Sequence, residues 1–297
     1  MQFLVYIIIY PILYVISILP FRLLYILSDG LYLLIYYVVG YRKKTVKYNL
    51  KLVFPEKTKK EIDQIAKRFY KHLCDMILES VKSLTISEAE MKKRFTFANV
   101  ELIQDLEKTD KSIVLMCAHY ANFEWIFILQ TYVSRIGYGV YKRLENKYFD
   151  ALIKRKRARY NSFLITTKET IPTLAASNKR GELSISGFVS DQSPKIYKAI
   201  YWNDFMGIKV PIHTGAEVLA KRLDMSVVFF GVKKIKRGYY ETTFKTLAID
   251  PNEFKDFEIT DNYLKLVENQ IKEAPEYYLW THKRWKHKDN VPDEFKT

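Results

Sequence analysis

At 297 residues the chain is long enough for one large domain or two small ones. Hydrophobic residues make up 48% of it and charged residues 27%, which excludes a disordered or low-complexity protein. Lysine and arginine number 48 against 33 acidic residues, and the resulting +15 points to an anionic partner: nucleic acid, acidic lipid or an acidic carrier protein, unless the charge serves only solubility.

The first forty residues are apolar almost throughout, with only Arg22 and Asp29 charged. They lack the basic start and small-residue cleavage site of a signal peptide and exceed the length of its apolar core. Residues 2–19 and 23–40 each approach the roughly 20 apolar residues that one membrane span needs. Pro11 and Pro20 interrupt the run, and a turn is expected near Ser28–Asp29–Gly30. The expectation is an anchor of two hydrophobic helices over residues 1–40, spanning once or lying as a half-buried hairpin. The alternative is a pair of core helices in a soluble domain. Arg42, Lys43, Lys44, Lys47 and Lys51 follow directly, and positive charge beside an anchor marks the cytoplasmic side, facing anionic lipid. An aromatic share of 15%, including 23 tyrosines, suits a surface that is apolar at one end and wet at the other.

Residues 41–297 read as the working domain. From Lys57 to Leu84, the spacing of Ile62, Ile65, Phe69, Leu73, Met76 and Ile77 predicts an amphipathic helix. Residues 111–120 (KSIVLMCAHY) form a short buried strand, and 122–133 a helix after it. A strand at 138–142 precedes a helix over 146–161. The strand in 181–192 ends at Asp191, a helix spans 214–224, and 225–235 pairs with 238–249 as a hairpin through Arg237–Gly238. A last helix covers 263–280. Strands alternating with helices give an α/β fold, a mixed, largely parallel sheet covered by helices on both faces. Cys74 and Cys117 sit far apart in apolar stretches, outside any CxxC pair, and read as buried free thiols in a reducing compartment.

The chemistry gathers at the end of the first core strand, His119-Tyr120-Ala121-Asn122-Phe123-Glu124. Functional groups of open α/β sheets collect where strands end and helices begin. If the loop turns sharply, Glu124 accepts the Nδ1 proton of His119 and leaves Nε2 to take a proton from an incoming hydroxyl. No GxSxG elbow or nucleophilic cysteine accompanies the pair, so direct transfer to an acceptor is indicated rather than an acyl-enzyme. A lone histidine in such a place is also compatible with a purely structural role. No two of the five histidines (His72, His119, His213, His282, His287) have the i, i+4 spacing of a zinc site, and no GxGxxG or P-loop is present, so neither metal nor nucleotide cofactor is expected.

The H-x4-[DE] pattern after a hydrophobic strand resembles the glycerolipid acyltransferases, and the whole chain resembles the late acyltransferases of lipid A biosynthesis. The likeness runs through Gly40-Tyr41-Arg42-Lys43, Asn49-Leu50 and Phe54-Pro55-Glu56, the His119–Glu124 box, Gly139-Val140-Tyr141-Lys142 through Arg157 and Arg159, then Ser190-Asp191-Gln192 and Phe229-Phe230-Gly231. Ala274-Pro275-Glu276-Tyr277 with Trp280-Thr281-His282-Lys283-Arg284-Trp285-Lys286 is its most specific part. Lys142-Arg143 stands where the family pattern has Arg-Pro. The resemblance implies an acyl thioester donor, commonly acyl-acyl carrier protein, and a phosphorylated glucosamine lipid acceptor at the cytoplasmic face of the inner membrane.

On that resemblance His119 is the general base and Glu124 its orienting partner. Arg159 binds a phosphate or polarises the thioester carbonyl, unless Lys154–Arg159 is only a solvated basic face. Asp191 orients Arg159 or a donor amide, or caps its turn. Arg284 completes a phosphate site, or belongs to a basic tail at the membrane surface. Asn122 donates near the oxyanion or caps the helix that carries Glu124. Three rivals remain at this stage: a lyso-aminolipid or lysophospholipid acceptor, a non-enzymatic basic scaffold, and a nucleic-acid binder, for which no recognisable module is found. Acyl-chain length depends on the depth of an apolar tunnel that the sequence does not locate.

Overall fold

The computed structural model describes residues 1–296. The chain opens with α1 (Gln2–Ile18) and α2 (Phe21–Leu33), which continues as a π-turn to Val39. Pro20 divides the two, and Gly40, in the left-handed region at φ +64°, ends the apolar stretch. The turn expected at Ser28–Gly30 is absent, and α2 runs straight through it. Ser28 is buried with its hydroxyl on Asp75 at 2.8 Å, and Asp29 pairs with Arg237, so the helix gains partners for both polar groups without breaking.

α3 (Lys43–Val53) leads to α4 (Lys59–Lys82). A capping box starts α4: Thr58 and Glu61 each accept from the other's backbone N–H. Ile62, Ile65, Phe69 and Leu73 are buried as the periodicity predicts, whereas Ile77 faces outward. The body continues through α5 (Glu88–Arg94), β1 (Phe95–Phe97), α6 (Glu101–Glu107), β2 (Ile113–Cys117), β3 (Ile136–Tyr141), α7 (Lys147–Ala158), β4 (Ser162–Thr166), α8 (Thr170–Lys179) and β5 (Ser184–Val189). It closes with the small β6–β7 ribbon (Trp202–Phe205, Ile208–Pro211), α9 (Gly215–Leu223), the β8–β9 hairpin (Ser226–Lys236, Tyr239–Ala248) and α10 (Glu258–Glu273). The last helix is shorter than expected, because Pro275 cannot continue it.

The main sheet has seven strands in the order β1-β9-β8-β2-β5-β3-β4, parallel at every pairing except the β8–β9 hairpin. This is the mixed, largely parallel architecture expected from the alternation of strands and helices. Segment 122–133 is helical, but as a 3-10 helix (Phe123–Thr131) rather than an α-helix. Its tighter winding suits a short segment pressed onto the sheet.

Two features of the sheet position the site. β2 lies between β5 and β8, and the register pairs Cys117 with Val189, so the loops after β2 and β5 leave the sheet side by side. On one face of β3 and β5, Tyr138, Val140 and Phe188 pack toward Leu174 of α8 and Leu219 of α9. On the other face Gly137, Gly139 and Gly187 leave room beneath the 3-10 helix. A methyl group on Gly139 would stand 3.0 Å from Leu164 and 3.1 Å from the Phe127 ring. Gly139→Ala should therefore lower the thermal midpoint of the detergent-solubilised protein by a few degrees, corresponding to about 1–3 kcal/mol of overpacking.

Candidate active site

His119 stands two residues beyond β2, at the carboxyl ends of the parallel strands. The loop that carries it doubles back within three residues: Tyr120 N–H donates to Ala118 O at 2.7 Å, and Ala121 adopts a left-handed φ of +48°. The C-terminal segment holds this loop. Ala121 N–H donates to Tyr277 O at 2.9 Å, and Leu279 N–H donates to His119 O at 3.1 Å. The segment of highest family resemblance thus serves to clamp the box.

Asp191, at the end of the neighbouring loop, is the partner of His119. One Asp191 carboxylate oxygen lies 2.7 Å from His119 Nδ1 and accepts the His119 backbone N–H at 3.0 Å. The Asp191 side chain is 1% exposed and that of His119 is 23% exposed. With Nδ1 engaged, Nε2 faces the open side of the site. Burial by itself would lower the imidazole's pKa, but the Asp191 charge and hydrogen bond, with Glu124 adding to them, raise it above the ordinary histidine value. Burial pushes Asp191 upward, and the His119 charge and hydrogen bonds outweigh that and hold it below the usual carboxylate range. Nδ1 carries the proton in this arrangement, because a buried carboxylate at 2.7 Å needs a donor there.

This corrects two expectations. Glu124 does not orient His119. The 3-10 helix turns it away from Nδ1, and its carboxylate instead accepts from Ser80 Oγ at 2.6 Å and faces Arg157 at 3.7 Å. Burial would raise the Glu124 carboxyl, but Arg157, the Ser80 hydroxyl, Lys156 and His119 together depress it, so it stays ionised. Asp191, in turn, orients neither Arg159 nor an amide of a donor, since His119 occupies it.

Three other expected residues are placed differently. Arg159 lies just past the end of α7, with its Nη1 on Ile86 O at 3.0 Å, outside the site. Arg157 and Lys156 point inward instead. Arg157 lies 4.6 Å over the Phe127 ring, and Lys156 Nζ donates to Ser80 O at 2.8 Å. Burial drives Lys156 down to about 8, against the upward pull of Glu124. The sequence signal for Lys156 was its position one turn after the buried Leu152. Asn122 neither caps the 3-10 helix nor points to an oxyanion, because its amide donates to the buried Glu79 carboxylate at 2.8 Å. Arg284 is 1% exposed, too deep for a surface phosphate site. It donates to Pro211 O at 3.0 Å and lies against the Phe205 ring.

An apolar cavity opens beside Glu124 and Arg157 and runs between the 3-10 helix and the sheet. Leu115, Phe127, Ile185 and Val189 line it, with Gly187 midway along its floor and Gln130 at the far end. The His119 ring packs on Phe123, one of the residues that line this aliphatic slot, and Arg157 stands beside it.

Comparison with known sequences agrees with that geometry. Residues 1–287 match the model of the bacterial lipid A biosynthesis acyltransferases. The chain belongs to this family. It is 24% identical over 282 residues to a lipid A biosynthesis lauroyltransferase of Escherichia coli (strain K12), covering 93% of this chain and 90% of that one. It is 25% identical over 281 residues to a lipid A biosynthesis acyltransferase of Haemophilus influenzae, covering 93% and 87%. The protein is an acyltransferase of lipid A biosynthesis, and the non-enzymatic scaffold reading falls.

The raised histidine sets a sign for pH dependence. If His119 acts as the base it works only when deprotonated, so the acid limb of kcat/KM should fall at a pH above about 6.5, the ordinary histidine value. Asp191→Asn should move that limb to lower pH and cut the plateau rate by about a hundredfold or more. Initial rates from pH 5 to 9 check both.

Proposed function

We propose that the enzyme moves a fatty acyl group from an acyl thioester, acyl-acyl carrier protein, to a hydroxyl of a lipid A precursor, at the cytoplasmic face of the inner membrane. The observation that carries this reading is the Asp191–His119 pair, packed through the His119 ring on Phe123, which lines a glycine-floored apolar cavity. The acyl chain lies in the cavity with its carbonyl at Glu124 and Arg157. His119 Nε2 removes the proton from the acceptor hydroxyl as its oxygen attacks the carbonyl carbon. Arg157 stabilises the resulting oxyanion, and Lys156 adds to the positive field. Asp191 fixes the tautomer, and ionised Glu124 favours the imidazolium that forms. Collapse of the tetrahedral intermediate breaks the C–S bond, and the imidazolium returns its proton to the departing thiolate. Acyl ester and free thiol result, and the base is regenerated.

The +15 charge supports two anionic partners at once, the phosphorylated acceptor and an acidic carrier protein. Residues 41–296 carry the sheet and the site, and residues 1–40 are the membrane-contacting part.

The test uses membranes containing the protein, labelled acyl-acyl carrier protein and a tetra- or penta-acylated lipid A precursor. Transfer should occur and drop by roughly 10²–10⁴-fold in His119→Ala. Full-rate transfer by that variant would overturn the base. No transfer by either protein would remove the lipid A precursor as acceptor, and lyso-aminolipids would be tried next.

Gly187 gives a separate prediction about chain length. A Cβ there meets nothing nearer than Tyr138 O at 3.8 Å, so a side chain is accommodated and projects into the cavity. Gly187→Val should shift the preferred donor to a shorter chain while leaving the pH profile unchanged, as read by mass spectrometry of the lipid product from mixed-length donors.

A further inference from the structure

Among the described residues, 19 of the 31 large hydrophobic side chains that are exposed fall before residue 40. On α1 the inward positions are Tyr6, Tyr10, Leu13 and Ser17, a helical spacing, and the outward ones between residues 3 and 18 carry no charge. So large an apolar face needs a cover. By length and composition the helix Phe21–Val39 is able to cross a bilayer, at 19 residues. Its packing argues otherwise.

α2 lies along the second half of α4, with Leu24, Ser28, Tyr32 and Tyr36 buried at every fourth position. At each level it meets ionic groups. Arg94 lies 3.4 Å over the Phe21 ring, Tyr25 donates to Glu79 at 2.8 Å, Ser28 to Asp75, and Lys71 faces the Tyr32 ring at 5.5 Å. A transmembrane α2 would carry this half of α4 into hydrocarbon with it, and charges there are strongly disfavoured. α1 is held at both ends by the same body. Gln2 Nε2 donates to Glu145 O at 3.1 Å and Asn146 donates to Gln2 O at 3.0 Å. At the other end, Lys82 Nζ donates to Ser17 O and Leu19 O, both at 2.8 Å. Between these ties Tyr6 packs on Tyr148 and Phe149 of α7.

We propose that α1 and α2 both lie flat in one leaflet, their outer faces in the acyl region and the catalytic body seated on their inner faces, so that the N-terminus stays on the same side of the membrane as the C-terminus. The occupant is a lipid bilayer with anionic headgroups. The outward face of α1 is uncharged, the exposed Asp29 of α2 is tied to Arg237 of the body, and the exposed cations Arg22, Arg42, Lys44 and Lys51 stand at the margins. Interfacial helices ordinarily turn a charged face to water. Here the body of the protein takes the place of water on that side. Because α1 rests on α7, which carries Lys156 and Arg157, this seating brings the cavity mouth to the plane where an acylated acceptor lies.

The test uses the full-length protein in cells, with Gln2→Cys or Asn290→Cys as the reporter, since Cys74 and Cys117 are buried. An impermeant maleimide added outside intact spheroplasts should label neither. A short bismaleimide should join Gln2→Cys to Asn146→Cys in native membranes, as it joins the surface control pair Lys111→Cys and Asp224→Cys. Alkaline carbonate washing should leave the protein in the membrane. Labelling of Gln2→Cys from outside means that the segment spans. A failed crosslink beside a working control means that α1 leaves the body. Release by carbonate means that a protein rather than lipid covers the face. Each of these overturns the proposal, and none of the readouts depends on which acceptor is acylated.

Discussion

A carboxylate removed from water is tolerated only when charge and hydrogen bonds replace what the solvent supplied, and at Asp191 one oxygen, Oδ1, meets that requirement while Oδ2 is buried without a partner. The register of β2 against β5 brings the two loops together, and the carboxylate then takes both the backbone N–H and the Nδ1 proton of His119. One residue thereby fixes the position of the loop and the tautomer of the ring. The sheet contributes the rest: Ser190 N–H donates to Cys117 O, and the buried Tyr263 hydroxyl donates to the same carbonyl at 2.6 Å. An imidazole held on both backbone and ring has little freedom to move.

A second buried carboxylate steadies the far side of the same loop. Glu79 of α4 accepts from Asn122, from Tyr240 of β9 and from Tyr25 of α2, each at 2.8 Å. Burial pushes it up to about 7, with Asp75 adding to the rise and Lys234 and the two tyrosine hydroxyls opposing it. The apolar helix α2, the sheet and the His119 loop therefore meet at one side chain. Asn122 is committed to this junction, so any oxyanion stabilisation falls to the cations of α7.

How much of this was legible in the sequence follows from the range of each interaction. Period-2 and period-3.6 patterns report burial along one element. They sufficed for the α4 helix, the β2 and β5 strands and the β8–β9 hairpin at Arg237–Gly238. Pairing of side chains across elements leaves no such periodic trace. His119 and Asp191 are 72 residues apart in the chain, so local reasoning turned to Glu124, five residues away, as the partner. The same limit applied to α7. A run of six residues with five cations reads as uniformly solvated, yet the helix turns Lys156 and Arg157 inward and leaves Arg159 beyond its end. β4 and the β6–β7 ribbon went unread because each strand is only four or five residues long, too short for a period to show.

The C-terminal block illustrates how a basic motif differs from a basic site. His282 to Lys286 holds four titratable or cationic side chains, which on charge alone suggests a phosphate cradle. The aromatic residues between them decide otherwise. Trp280 and Trp285 stack at 5.9 Å and 18°, and Trp285 stacks in turn on Phe205 of the β6–β7 ribbon, so the segment folds inward around them. Arg284 is carried down with Trp285 and donates through Nη1 to Pro211 O, its Nε and Nη2 being buried without a hydrogen-bond partner. Asn49 of α3 donates to Trp280 O and His282 O, and Arg42 donates to Thr281 O, which ties the segment to the chain just after the two apolar helices. Its upstream end, Tyr277 to Leu279, then grips the His119 loop through main-chain hydrogen bonds. The residues of this block are therefore used for packing at least as much as for charge. The Arg284 guanidinium bonds the loop around Ser193 and the β6–β7 ribbon, while the cation that lines the cavity, Arg157, lies on α7.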